Sequence, residues 1–143
     1  MSTQSKGNIL TLSGRILLSV IFILSGLAKL GTPEPTQAYI ASVGLPFPLV
    51  AFIGAVVVEL AGGVLLAVGY RTKLVALVLT AFSVVAALMF HSNFADQNQF
   101  IHFLKNLAIA GGLLQVAALG AGGLSLDSRF SKASAFKATV PSH

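Results

Sequence analysis

The chain has 143 residues, of which 55% are hydrophobic and only 9% charged, against roughly 25% charged in an ordinary soluble domain. Nine basic and four acidic side chains cannot coat a globule of this size, which argues against a soluble monomer; the length allows one domain or one small membrane bundle. The absence of cysteine excludes disulfides, thiol relays, Cys-ligated zinc, iron–sulfur clusters and covalent c-type haem. The +5 net charge lies mostly between apolar runs, so it reads as membrane topology, with no nucleic-acid partner expected.

Residues 1–8 form a short polar tail with Lys6. The first apolar span covers residues 9–30, about 33 Å as a helix against a hydrocarbon core about 30 Å thick. Arg15 and Lys29 sit near its two ends. The run Leu24-Ser25-Gly26-Leu27-Ala28-Lys29 offers no clean small-x-small site for a signal peptidase. The next loop, residues 31–48, is punctuated by Pro33, Pro35, Gly44, Pro46 and Pro48. Its middle, residues 36–43, predicts a short interfacial helix with Tyr39 at headgroup depth. The second span, residues 49–69, carries a single charge, Glu59. A tight turn at residues 70–73, holding Arg71 and Lys73, makes the second and third spans antiparallel neighbours. The third span covers residues 74–91. A short loop leads to the fourth, residues 103–119, which has Lys105 near its start. Residues 9–124 thus form the membrane domain, and residues 125–143 read as a basic, disordered tail with Arg129, Lys132 and Lys137.

The fold class expected is all-α, four transmembrane helices in an up-down bundle. Loops 31–48 and 92–102 contain no Lys or Arg. With four spans, the three basic segments fall on one side, which places both termini in the cytoplasm.

Ionisable groups inside a bilayer are costly, so each marks a pairing or a wet cavity. Glu59 lies about 15 Å from either end of its span and must be paired or carry a proton. Arg15 and Lys29 share a helix face with Ser19, Phe22 and Ser25. By depth, Arg15 is the first-choice partner for Glu59, with Lys105 or Lys29 second. The intramembrane polar cluster therefore reads Arg15, Ser25, Lys29, Glu59, Lys105 and Asn106. A structural ion pair and a proton-handling or ligand-contacting role are both open for Glu59. Small residues on the second and fourth spans suit close helix packing.

The outer rim of spans three and four gathers His91, Asn93, Asp96 and His102 as candidate ligand contacts. Their spacing matches no metal motif, so no metal centre is expected. An Asp96–Lys105 ion pair on a solvated loop is one reading. A quinone-headgroup site is the other, since quinone carbonyls need donors such as Lys, His or Asn and a proton route on reduction.

The run Arg15-Ile16-Leu17-Leu18, then Phe22-Ile23-Leu24-Ser25-Gly26-Leu27-Ala28-Lys29, resembles the opening of the DoxX family. So do Gly44-Leu45-Pro46, Glu59-Leu60-Ala61-Gly62-Gly63, Phe90-His91-Ser92-Asn93-Phe94-Ala95-Asp96, Phe103-Leu104-Lys105-Asn106-Leu107 and Ser125-Leu126-Asp127. The likeness runs from Arg15 to about Arg129 and is nearest the YqjF-like inner-membrane branch. It implies a multi-pass protein of the bacterial inner membrane, of a type often labelled oxidoreductase without an established activity. Related DoxD-type proteins are subunits of a thiosulfate:quinone oxidoreductase, and some DoxX members join membrane complexes for thiol and oxidative stress. The family carries no settled catalytic residues to this chain.

The expectation is a membrane subunit or anchor of a quinone-linked or oxidative-stress redox system. Its partners would be the lipid bilayer and a redox subunit, with a homo-oligomer open. No cofactor is evident beyond a quinone. The alternatives are a small proton-coupled exporter using Glu59, and a structural membrane scaffold.

Overall fold

The computed structural model describes residues 2–139, all of whose regular structure is helical. Among them lie six helices: α1 (Thr3–Gly31), α2 (Pro33–Ser42), α3 (Pro48–Val68), α4 (Thr72–Phe90), α5 (Gln97–Leu119) and α6 (Leu126–Thr139). Of these, α1, α3, α4 and α5 are long and apolar enough to cross a membrane. Their outward faces are aliphatic, with Leu17 74% and Val50 69% exposed, as lipid contact rather than water contact requires.

Local chemistry sets the helix ends. The Ser2 hydroxyl accepts from the Ser5 amide and starts α1. Pro33 and Pro48 stand in the first turns of α2 and α3, where a missing N–H costs nothing. Gly69, at φ 71°, closes α3 by donating to the carbonyls of Leu65 and Leu66. The Asp96 carboxylate accepts from the amides of Asn98 and Gln99 and starts α5. The interfacial helix expected over residues 36–43 begins earlier, at Pro33, because proline is a favourable starter rather than a breaker there. The fourth span starts at Gln97 rather than near residue 103, since the Asp96 cap lets its polar first turns be helical.

Helices α1 and α3 cross closely and antiparallel. Arg15 reaches Leu66 and Ala67, while a side chain at Gly26 would strike Leu60. Gly63 lies against the Ser19 carbonyl, so small residues set this approach. Gly62 does the same between α3 and α4, leaving room only for Leu79. The tightest core gathers Phe22, Leu66, Val75, Ala76, Leu79 and Leu113 in the half of the bundle nearer the α3–α4 turn.

The disordered tail expected from residue 125 onward is corrected: α6 covers Leu126–Thr139. Low hydrophobicity hid it, because α6 is anchored by Asp127 rather than by an apolar face. The amide of Asp127 donates to the Gly69 carbonyl at 2.9 Å. Residues 140–143 of that tail, and the Lys137 side chain, lie outside the described residues.

Candidate functional site

Away from the tight core, the four long helices enclose a cavity of about 910 Å³. Its walls come from one face of each helix: Phe22 and Ser25 on α1, Ala51, Gly54, Ala55 and Val58 on α3, Phe82, Val85, Ala86 and Met89 on α4, and Ile109 on α5. Helix α2 covers one end through Pro35, Thr36, Tyr39 and Ile40. The Tyr39 hydroxyl donates to the Phe90 carbonyl at 2.8 Å, tying α2 to the end of α4. Pro33 and the Gly44 turn give this short helix its fixed limits.

Of the ten candidate residues from the sequence, seven line this one cavity: Ser25, Lys29, Glu59, His91, His102, Lys105 and Asn106. Lys29 Nζ donates to Glu59 Oε1 at 2.8 Å. The Glu59 side chain is 5% exposed and that of Lys29 29%. Glu59 Oε2 has no hydrogen-bond partner among the described residues. The His91 and His102 rings stack with centroids 5.1 Å apart. His91 Nδ1 lies 2.8 Å from Gln99 Oε1, so the tautomer that donates there presents Nε2 as an acceptor. Asn106 Nδ2 donates to the His102 carbonyl at 3.0 Å, which keeps its second N–H available. Lys105 is exposed and makes no salt bridge among the described residues. One end of an apolar chamber is thus furnished with ammonium, imidazole and amide groups. No group of three or more metal-ligating side chains gathers among the described residues.

Three candidates lie elsewhere. Asn93 and Asp96 belong to the loop before α5, and Asp96 caps that helix instead of pairing with Lys105. Arg15 is at the opposite end of the bundle, and the Arg15–Glu59 pair expected from depth is corrected to Lys29–Glu59. The reason is that a competing set of acceptors holds the guanidinium. Its Nη1 donates to the carbonyls of Leu66 and Ala67 at 3.1 Å each, and its Nη2 to Leu124 at 2.5 Å. Leu66 and Ala67 lie in the last turn of α3, where a cation also meets the negative end of the helix dipole, and Leu124 lies in the link between α5 and α6.

Beside Arg15 stands a residue that sequence reading passed over. Asp127 takes the amides of Arg71 and Thr72 on its two carboxylate oxygens, at 2.7 and 2.9 Å, and so caps α4 from a distance in sequence. Partial burial by itself would raise the Asp127 carboxyl. The amide bonds from Thr72 and Arg71 and the nearby Arg15 charge outweigh it and hold the group below its ordinary value. The folded chain therefore favours the carboxylate form. Its stabilisation is full above the unfolded pKa of about 3.9 and is lost as pH falls through the lower folded value. Asp127→Ala should cost about 0.5–2 kcal/mol, as other lost caps do, and the loss should shrink in acid below about pH 4. Thermal unfolding of the detergent-solubilised protein against pH measures this.

The family model named DoxX matches residues 10–92. The inner membrane protein YqjF of Escherichia coli is 35% identical over 121 residues, covering 85% of this chain and 92% of its own length. The inner membrane protein YphA of the same organism is 35% identical over 126 residues, covering 85% and 90%. CatD of Bacillus subtilis, whose name marks it only provisionally as an oxidoreductase, is 37% identical over 79 residues, 55% of this chain and 57% of CatD. No solved structure matches the chain. With four helices able to span a bilayer and a likeness to inner-membrane proteins over 85% of its length, the chain is a multi-pass inner-membrane protein and belongs to the DoxX family.

Proposed function

We propose that the protein is the membrane subunit of a redox system and holds a quinone in the cavity between α1, α3, α4 and α5. One observation carries the reading: seven polar groups, chosen from sequence alone, furnish one end of an apolar chamber of about 910 Å³. That volume lies within the roughly 300–1,000 Å³ of small-molecule sites, which are typically apolar with a few convergent polar groups. The likeness to CatD points the same way. A quinone carbonyl accepts from Lys105, from the free Asn106 N–H or from an imidazole N–H, while the ring and tail occupy the walls of α3 and α4. Reduction to the hydroquinone takes two electrons and two protons. The electrons come from a partner subunit carrying a redox cofactor, since a chain without cysteine brings no thiol couple to the site. The imidazoles and the lysines are the groups placed to pass protons to the quinone oxygens.

The test is quinone content and binding. Protein purified in mild detergent should contain extractable quinone and, once stripped, should bind a short-tailed ubiquinone analogue. His102→Leu and Lys105→Met should each weaken that binding about tenfold, the value of one lost hydrogen bond to a charged or polar donor. Binding unchanged in both variants would remove the quinone from this cavity. The exporter alternative needs a carboxylate free to exchange protons, and the 2.8 Å Lys29 contact weighs against Glu59 in that part. Proton-coupled efflux in vesicles, abolished by Glu59→Gln with the fold intact, would replace the redox reading.

The arrangement proposed is an up-down bundle with both termini in the cytoplasm, because Lys6, the Arg71–Lys73 turn and the basic tail all then lie inside. The cavity end with Lys29, His91 and His102 faces the periplasmic half. Reporter fusions at Glu34 and Asp96 should read periplasmic and one at Lys73 cytoplasmic; a cytoplasmic Asp96 ends this topology.

A further inference from the structure

The bundle has a second concavity, at the end opposite the quinone chamber. It is a groove of about 450 Å³ between the α3–α4 turn and the end of α5, lined by Arg71, Thr72, Lys73, Leu74, Gly120, Ala121 and Asp127. We propose that it binds the phosphodiester headgroup of an anionic phospholipid, with Arg71 and Lys73 as the charged contacts.

The charge census supports an anion. The side chains of Arg71 and Lys73 are exposed and make no hydrogen bond or salt bridge among the described residues. The groove's own carboxylate, Asp127, is already bound by the two amides at the start of α4, with Arg15 close by on its other side. Its charge is thus met from within the fold, and the two side-chain cations are left over. The helix N-terminus itself is occupied by Asp127 and is not the binding element.

The shape supports a lipid rather than a free ion. Gly120 ends α5 at φ 85°, a conformation that other residues rarely adopt, and the Lys73 stem passes over it. A Cβ there would meet Lys73 Cε at 3.5 Å, an ordinary contact, so the glycine answers the backbone conformation and the lysine stem lies close over the groove floor. The groove lies at the ends of the spans, the depth at which headgroups sit. Two exposed leucines stand at the groove, Leu74 in the first turn of α4 and Leu119 at the end of α5, and the start of an acyl chain can lie against both. The headgroup contact and the first part of the tail are then made by one continuous surface.

The full chain, purified in mild detergent and stripped of lipid, should be titrated with phosphatidylglycerol and with phosphatidylcholine and read by native mass spectrometry. The wild type should prefer phosphatidylglycerol. Arg71→Asn with Lys73→Gln should lose about thirtyfold in that affinity, from about fivefold per cation. Asparagine is chosen at position 71 because it tolerates the left-handed backbone found there, at φ 45°. Lys73→Gln alone, which leaves that backbone untouched, should lose about fivefold. Arg129→Gln with Lys132→Gln removes equal charge from α6, outside the groove, and should keep the wild-type preference. Excess inorganic phosphate should leave the lipid bound. The site is refuted if the Arg71 and Lys73 variants bind as wild type, if the α6 variant loses as much, or if phosphatidylcholine binds equally. Displacement by inorganic phosphate would reassign the groove to a soluble anion and also overturn the proposal.

Discussion

Replacing Lys29 with Met should destabilise the folded bundle by about 3–5 kcal/mol, the usual result of stripping one partner from a buried ion pair. The carboxylate left behind is 5% exposed and lines a chamber whose walls are mostly apolar. The complementary change, Glu59→Gln, should cost less, about 1–3 kcal/mol. The Lys29 ammonium is 29% exposed and near the end of α1, so it can extend to the headgroup region when its partner is neutral. This asymmetry is the signature of the geometry, because a pair buried equally at both ends would lose similar amounts from either side. The double change Lys29→Met with Glu59→Met should recover most of the loss, since two apolar side chains of similar length fill the same space. Equilibrium unfolding in mixed micelles, read as a double-mutant cycle, gives the coupling directly. Arg15→Met with Glu59→Met should show additive losses instead, as those side chains share no contact. Near-zero coupling between Lys29 and Glu59 would mean that the 2.8 Å contact contributes nothing to stability.

The number and order of the spans were legible because a bilayer imposes a length and a composition that ordinary packing does not. Uninterrupted apolar runs of that length announce α1, α3 and α4 on their own. Helix α5 was harder, as its first turns, from Gln97 to His102, are polar and owe their helicity to the Asp96 cap. The polar lining of the chamber was also legible. A charged or imidazole side chain within or beside a span has few places to go, which marked Lys29, Glu59 and Lys105 as one group and His91 and His102 as a second at the outer rim; that both groups line one chamber depends on tertiary geometry. Depth alone did not decide who pairs with whom. By depth Arg15 looks nearer to Glu59 than Lys29 does, but Arg15 is drawn to three backbone carbonyls whose positions exist only after α3 has ended at Gly69 and the chain has returned at Leu124. Asp127 was missed for the same reason. Its partners are main-chain amides distant in sequence, and backbone groups leave no trace in a pattern of side chains. Tyr39 was expected at headgroup depth from its chemistry, and its bond to the Phe90 carbonyl, which fastens α2 over the chamber, depends on tertiary geometry.

Arg15→Met should be at least as damaging as the loss of Lys29, on the order of 3–6 kcal/mol, since each deprived carbonyl forfeits a charged donor worth about 1–3 kcal/mol. The side chain is 1% exposed, so no water stands ready to replace it. Leu66, whose carbonyl it binds, is 0% exposed, and the Leu124 carbonyl belongs to the strap that carries Asp127 to the start of α4. Losing the guanidinium therefore loosens α1 from α3 and weakens the cap of α4 together. Arg15→Lys should recover only part of this. It restores a cation at the negative end of α3, but a single ammonium cannot span the fork from Leu66 and Ala67 to Leu124. Gly69 supplies an independent check. A Cβ at that position would collide with the Arg15 guanidinium, and the backbone stands at φ 71°. Gly69→Ala should therefore be severe in the wild-type chain. In the Arg15→Met background the clash with the guanidinium is gone, while the clash with Ser125 Cβ at 2.5 Å and the left-handed backbone penalty of about 1–2 kcal/mol remain. The two substitutions together should thus cost clearly less than the sum of their separate effects. Strict additivity in that cycle would show that Arg15 does not lie against the Gly69 turn and would overturn the whole account of this end of the bundle.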